Sequence, residues 1–174
     1  MFSEAGFAVC SADEIAHALL ERENAVSKKV LKIFGRGILE KNGRISREKL
    51  GGLALNSKSG MRELEKIMHP AIKSAMKKFL DAGGPVAEEN ALLFKMKMSG
   101  CFDKIILVKC SDSVRGENIA ARGISSSFAE KILFFQEDGF YPESLADFII
   151  ENTGGISVLR GKTKKCIELL LGKQ

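Results

Sequence analysis

No two cysteines in this chain stand as a C-x-x-C pair; the four present, Cys10, Cys101, Cys110 and Cys166, are scattered, and histidine occurs only twice. That argues against a zinc site and against a disulfide framework. Cys10 and Cys110 lie in apolar runs and read as small core residues. Long hydrophobic runs are lacking too: none approaches the roughly 18 residues of a membrane span. The N-terminus carries Glu4 and no basic n-region, which is not the pattern of a secretory signal. A cytoplasmic address follows by default. There is no internal repeat and no low-complexity tract. An aromatic-basic platform and a helix-turn-helix signature are both missing, so nucleic acid is not the expected partner. The net charge of +5 still suits an anionic partner, phosphorylated metabolites included. Its densest basic cluster, Lys162, Lys164 and Lys165, reads as a solvated helix face.

What remains is the composition of an ordinary α/β protein: 174 residues, 45% hydrophobic and 28% charged, enough for one domain. Met1 to Ala5 reads as the last turns of a helix, with Gly6 as its C-cap. Gly6 to Cys10 reads as a strand running into a helical stretch over 13–32, which Ser11 or Asp13 can cap. Asn42-Gly43 is a turn signal and Ser46 a helix N-cap. Residues 60–80 are helical in period, with two helices or a kink expected at His69-Pro70. PVAEENALLF reads as a strand with a polar interruption, and Asp103 to Cys110 as a buried strand. An amphipathic helix follows over SSFAEKILFFQ, with Phe128, Phe134 and Phe135 in the core; then come a strand over ADFIIENTGG and a closing helix. Met96 and Met98 read as packing residues. Strands alternating with helices predict a parallel sheet flanked by helices.

In order and spacing, a set of short motifs resembles the dephospho-coenzyme A kinase family, of the P-loop kinase-like fold. They are Ser11-Ala12-Asp13; Phe34-Gly35 with Asn42-Gly43, Arg47 and Leu50; Leu64, Ile67, His69 and Pro70; Ala91-Leu92-Leu93-Phe94-Lys95; Asp103 to Val108; Arg122 and Gln136; and Ala146, Asp147, Ile150, Asn152 and Gly154. The resemblance runs nearly the full length. It implies one kinase-like domain over 1–174, with a helical substrate (coenzyme A) sub-domain at 14–84 and a lid at 115–140. It implies transfer of the ATP γ-phosphoryl to the ribose 3′-hydroxyl of dephospho-coenzyme A, the last step of coenzyme A synthesis, with Mg²⁺ on the phosphates and no tightly bound cofactor. Such chemistry takes a glycine-rich loop with lysine, a carboxylate for the attacking hydroxyl and arginines over the transferring group. A catalytically inactive homologue acting as a binding module is the alternative.

The chain departs from the family pattern in several places. No stretch matches G-x-x-x-x-G-K-[ST]. The nearest, Gly155-Ile156-Ser157-Val158-Leu159-Arg160-Gly161-Lys162-Thr163, has five residues between its glycines where four are needed. The family's phosphate-loop segment and the strand before it would precede Met1, which reads as an internal methionine of the first helix. That strand belongs mid-sheet, so the strands near 85–90 and 104–110 are expected to lack a neighbour. Ser11 stands where the family carries its general-base Asp. Asp13 can substitute or merely cap the helix. Lys95 replaces a Glu. Asn118 replaces a lid arginine, for which Arg115 can compensate. By resemblance Arg122 is catalytic and nucleotide-binding, and Asn152 faces the nucleotide or only turns the chain. Arg47, His69, Leu93 and Phe94 are substrate-binding candidates; Arg47 reads equally as a surface arginine and His69 as a helix-boundary residue. No metal-ligating set is expected.

Overall fold

The computed structural model describes residues 1–121 and 143–172. These fall into two compact units, residues 8–91 and residues 1–7 with 92–174. Each unit holds a two-stranded parallel sheet. Strands alternate with helices in sequence, as the pattern predicts, because parallel neighbours need a crossover rather than a hairpin.

In the first unit β1 (Ala8–Ser11) pairs with β2 (Val86–Glu89), in the register Ala8↔Val86, Val9↔Ala87, Cys10↔Glu88 and Ser11↔Glu89. Four helices fill the crossover: α1 (Ala12–Glu21), α2 (Ala25–Phe34), α3 (Arg47–Ala54) and α4 (Lys58–Leu80). The stretch expected to be helical over 13–32 is broken by Asn24. Its side chain accepts from the N–H groups of Val26 and Ser27, while the Ser27 hydroxyl receives the Asn24 N–H, closing a capping box that starts α2. Ser46 caps α3 as read, accepting from Lys49 N–H. Gly43 takes φ +81° in the Asn42-Gly43 turn, where its N–H reaches the Glu40 carbonyl. Around α4 the helices bury Val30, Ile38, Leu50, Ala54, Met68, Ile72 and Met76.

Pro70 does not divide 60–80 into two helices: α4 runs 23 residues straight through it. One proline removes a single N–H, here the one that would reach the Lys66 carbonyl. The apolar face that α4 presents to α1, α2 and α3 outweighs that loss.

In the second unit Ser3–Ala5 form a 3-10 turn, closed by Gly6 at φ +91° with its N–H on the Ser3 carbonyl. The C-cap reading of Gly6 holds. The polar interruption at Glu88-Glu89 is where β2 ends, and Ala91–Lys97 is a run of turns rather than strand. Met96 and Met98 are buried there, as read. β3 (Ile106–Lys109) pairs with β4 (Phe148–Glu151), and α5 (Asp112–Ala121) and a closing helix α6 (Ile156–Leu170) follow the two strands. β3 is not a fully buried strand: Val108 is 58% exposed, because the strand has one ladder neighbour rather than two among the described residues. Asp147 ties the starts of the pair. Its Oδ2 accepts the Ile105 N–H at 2.9 Å and its Oδ1 the Lys104 ammonium at 2.7 Å. Its own N–H returns to the Ile105 carbonyl.

Cys166 is buried, whereas Cys10 and Cys110 are only half-buried. All four cysteines are free thiols. The helix expected over SSFAEKILFFQ, with Phe128, Phe134 and Phe135, lies outside the described residues.

Candidate functional site

In open parallel sheets ligands bind beyond the carboxyl ends of the strands. At that end of β1 and β2 stand Ser11 and Glu89, side by side in register, and the Ser11 hydroxyl donates to Glu89 Oε2 at 2.7 Å. Its proton is therefore committed to a carboxylate. Ser11, at the N-cap position of α1, makes no side-chain cap bond to the helix. Asp13 does not cap either: it lies in the first turn of α1, past the end of the strand, exposed to solvent. There it favours the positive helix terminus by charge alone.

One residue back, on the opposite face of β2, Glu88 is half-buried. Its Oε1 accepts from Asn90 Nδ2 at 2.9 Å, while Oε2 has no partner among the described residues. Burial pushes its carboxyl above the ordinary 4.5, against the opposing pull of the Asn90 bond. The neighbouring Cys10 thiol is pushed up by burial first, with the Glu88 and Glu14 charges adding to it.

Asp13, His17 and Glu21 recur every fourth residue, which places them along one face of α1. His17 and Glu21 line an open polar cavity of about 290 Å³, with Arg44, Arg47 and Glu48 across it. Arg47 opens α3, where Ser46 fixes the helix start. Its Nη1 lies 3.3 Å from His17 Nδ1, and His17 Nε2 lies 3.3 Å from Glu21 Oε1. A guanidinium only donates, so His17 Nδ1 is the acceptor and the ring proton sits on Nε2, facing Glu21. The chain Glu21, His17, Arg47 thereby orients a cation that two conformationally free side chains would not hold. A second open cavity, of about 350 Å³, lies between α2 and α4 and is mostly apolar, with Lys29 and Lys66 on its rim.

In the second unit the strand ends carry Lys109, Glu151 and Asn152. Asn152 donates its N–H to the Lys109 carbonyl at 2.6 Å. Lys162 reaches back from α6 to the Glu151 carbonyl at 2.5 Å and to Thr153 Oγ1 at 3.4 Å. The Lys109 ammonium, bonded to Glu143, is held above its ordinary range by that bond. The segment from Gly155 to Thr163 is no phosphate loop: Gly155 is the N-cap of α6, and Gly161, Lys162 and Thr163 lie within the helix, Thr163 bonded back to the Leu159 carbonyl. A phosphate cradle needs free N–H groups, and those of a helix interior are spent.

The sequence candidates fall out as follows. Ser11, Asp13 and Arg47 all belong to the first unit, on β1, α1 and α3. His69 is not at a helix boundary, because α4 continues past it; it is a half-buried mid-helix residue. Leu93 and Phe94 sit in the turns after β2, and Met98 N–H closes on the Leu93 carbonyl at 3.0 Å. Arg115 sits in α5, paired with Asp112 at 3.2 Å. Arg122 and Gln136 lie outside the described residues. Two residues of interest escaped the motif search. Glu89 reads in sequence only as a polar interruption of a strand, and a carboxylate at a strand's carboxyl end is its one signal. His17 lies 30 positions from Arg47, and no local pattern links them.

A sequence model of the dephospho-CoA kinase family matches residues 1–157. The chain is 31% identical over 173 residues to the dephospho-CoA kinase of Aquifex aeolicus, covering 98% of this chain and 88% of that one. It is 30% identical over 160 residues to the Geobacillus kaustophilus enzyme of that name, covering 88% and 80%. Among solved structures, the dephospho-CoA kinase of Campylobacter jejuni superposes with a TM-score of 0.64 at 26% identity, over 99% of this chain and 89% of that one. A Thermus thermophilus protein shares the fold at a TM-score of 0.69 and 23% identity, over 97% and 87%. This chain belongs to the dephospho-CoA kinase family.

Proposed function

We propose that this protein transfers the γ-phosphoryl group of ATP to the ribose 3′-hydroxyl of dephospho-coenzyme A. The observation that carries the reading is the polar cavity of the first unit. There Arg47, at the position the family resemblance gives to substrate recognition, is oriented by His17 and Glu21. An oriented guanidinium is a bidentate phosphate binder, and dephospho-coenzyme A carries a pyrophosphate. On this reading residues 14–84 are the substrate sub-domain and 115–140 the lid. His69, Leu93 and Phe94 serve the substrate; Arg122 and Asn152 serve the nucleotide. Asn152 fits that role only through its side chain, since its N–H is spent on Lys109.

Mg²⁺ in such a reaction rides on the ATP phosphates and water, with one or two protein carboxylates at most. Among the described residues no cluster of three metal-ligating side chains occurs. A cytoplasmic setting follows from the substrates, and no helix among the described residues is long and apolar enough to cross a membrane.

The test is ATP- and Mg²⁺-dependent conversion of dephospho-coenzyme A to coenzyme A by the protein purified from its own cells. Replacing Arg47 by Ala is expected to raise KM for dephospho-coenzyme A about 10- to 100-fold, the value of one charged hydrogen-bonded contact, with Tm unchanged. An unchanged KM removes Arg47 from the site. The second reading, an inactive binding homologue, is favoured by Ser11, which stands where the resemblance expects an Asp. It predicts nucleotide binding with no turnover.

A further inference from the structure

We propose that Lys162 is a positioning residue for nucleotide recognition: it holds the turn after β4 so that the Asn152 side chain meets the adenine of ATP, a role that rests on the phosphoryl-transfer reading above. Composition places Lys162 in a solvated basic face with Lys164 and Lys165. The structure separates them. Lys164 and Lys165 are exposed, whereas Lys162 is half-buried and turned back on the strand end. Its ammonium donates to the Glu151 carbonyl at 2.5 Å and to Thr153 Oγ1 at 3.4 Å. The reach follows from its place. Lys162 lies about two turns into α6 from the Gly155 N-cap, and side chains on a helix lean toward its N-terminus.

The two acceptors flank Asn152, and Asn152 is itself fastened to β3, its N–H on the Lys109 carbonyl at 2.6 Å. Residues 151–153 are thus held from both sides, at the carboxyl ends of β3 and β4, where open parallel sheets bind ligands. Among the described residues the Asn152 carboxamide has no hydrogen-bond partner. Adenine offers a 6-amino donor beside a ring-nitrogen acceptor, and a carboxamide matches both. A turn already held in place loses less freedom when the base docks, so the nucleotide binds more tightly. Lys162 gives up its own rotamer freedom in the folded state instead, in exchange for charged hydrogen bonds. It touches no substrate atom in this arrangement and acts through Asn152.

The test separates base from phosphates. Equilibrium binding of ATP and of inorganic tripolyphosphate, which has no base, is measured with Mg²⁺ for the native protein, for Lys162→Met and Lys162→Arg, and for Lys165→Met as the control. Lys162→Met is expected to weaken ATP binding about tenfold, of the order of one charged hydrogen bond, and to leave tripolyphosphate binding unchanged. Lys162→Arg, which keeps charged donors, is expected to retain most of the ATP affinity, and Lys165→Met all of it. In turnover, KM for ATP is expected to rise in Lys162→Met, while kcat and KM for dephospho-coenzyme A stay within about twofold. Tripolyphosphate binding weakened as much as ATP binding overturns the proposal, because Lys162 then meets the phosphates directly. Unchanged ATP binding in Lys162→Met overturns it too. So does a loss shared by both substrates with a lower Tm, which marks a structural role. Each of these results leaves the kinase reading standing. A native protein that binds no ATP overturns the kinase reading itself, and this proposal with it.

Discussion

Single residues in this chain are read most securely where burial or a single partner fixes the state of a charged group. Glu88 is such a case. Its Oε2 is buried without a partner among the described residues, and burial lifts its carboxyl above the 4.5 it has in an unfolded chain. Between 4.5 and its native value, the folded state therefore holds a proton that the unfolded state has lost. Stability from this group is full below 4.5 and declines as pH rises from there through the native value. Glu88→Gln carries no charge to desolvate, so it is expected to be more stable than the native protein near neutrality. The gain should vanish in acid below 4.5. Urea midpoints at the two pH values check this, and a variant less stable than the native protein near neutrality would mean that the Glu88 charge is compensated. Asp147 runs the opposite way. The Lys104 ammonium, and after it the Ile105 N–H, hold its carboxyl below the ordinary 3.8. Its contribution is present above 3.8 and is lost as pH falls through the lower native value. Asp147→Asn is expected to lower Tm near neutrality, with the difference shrinking in strong acid. A Tm difference independent of pH would assign the effect to the amide rather than the charge. Asp147 also shows how a motif residue can be structural: at the start of β4 it fastens β3 to β4 and touches neither strand end where ligands would bind.

At the scale of elements, most strands and helices were legible because their local signals agree with their tertiary setting. Ser46 and Gly43 are examples: each residue type is the one its backbone position demands. Where the local signal and the packing disagree, the packing prevails. Pro70 reads as a break, and α4 passes through it because Met68, Ile72 and Met76 on its buried face hold the helix on both sides. Since Pro70 is exposed, Pro70→Ala restores the missing N–H to Lys66 without disturbing that face. It is expected to stabilise the protein by up to about 3 kcal/mol, the helix-interior penalty of proline. Thermal unfolding measures it, and a loss of stability would show that the proline sets a bend the packing requires. The break at Asn24 was missed for the converse reason. Apolar residues continue at helical spacing across it, so periodicity sees one helix, and only the reciprocal Asn24–Ser27 bonds reveal two.

For the molecule as a whole, the residues by themselves determined the class of fold, the order of its elements and the family. Alternating apolar strands and amphipathic helices admit few arrangements, and the short motifs carry their meaning in order and spacing, both properties of the chain. They also determined that position 11 is a serine and that 155–163 has the wrong spacing for a phosphate loop. The tertiary structure alone decided which side chains meet. Ser11 and Glu89 are 78 positions apart, and Arg47 and His17 are 30 apart. The first pair depends on the register of two parallel strands, the second on how α3 packs back toward α1. Register and packing are set by the burial of whole faces, not by any residue in the pairs, so no local reading of Glu89 or His17 could have found the partner that gives it chemistry.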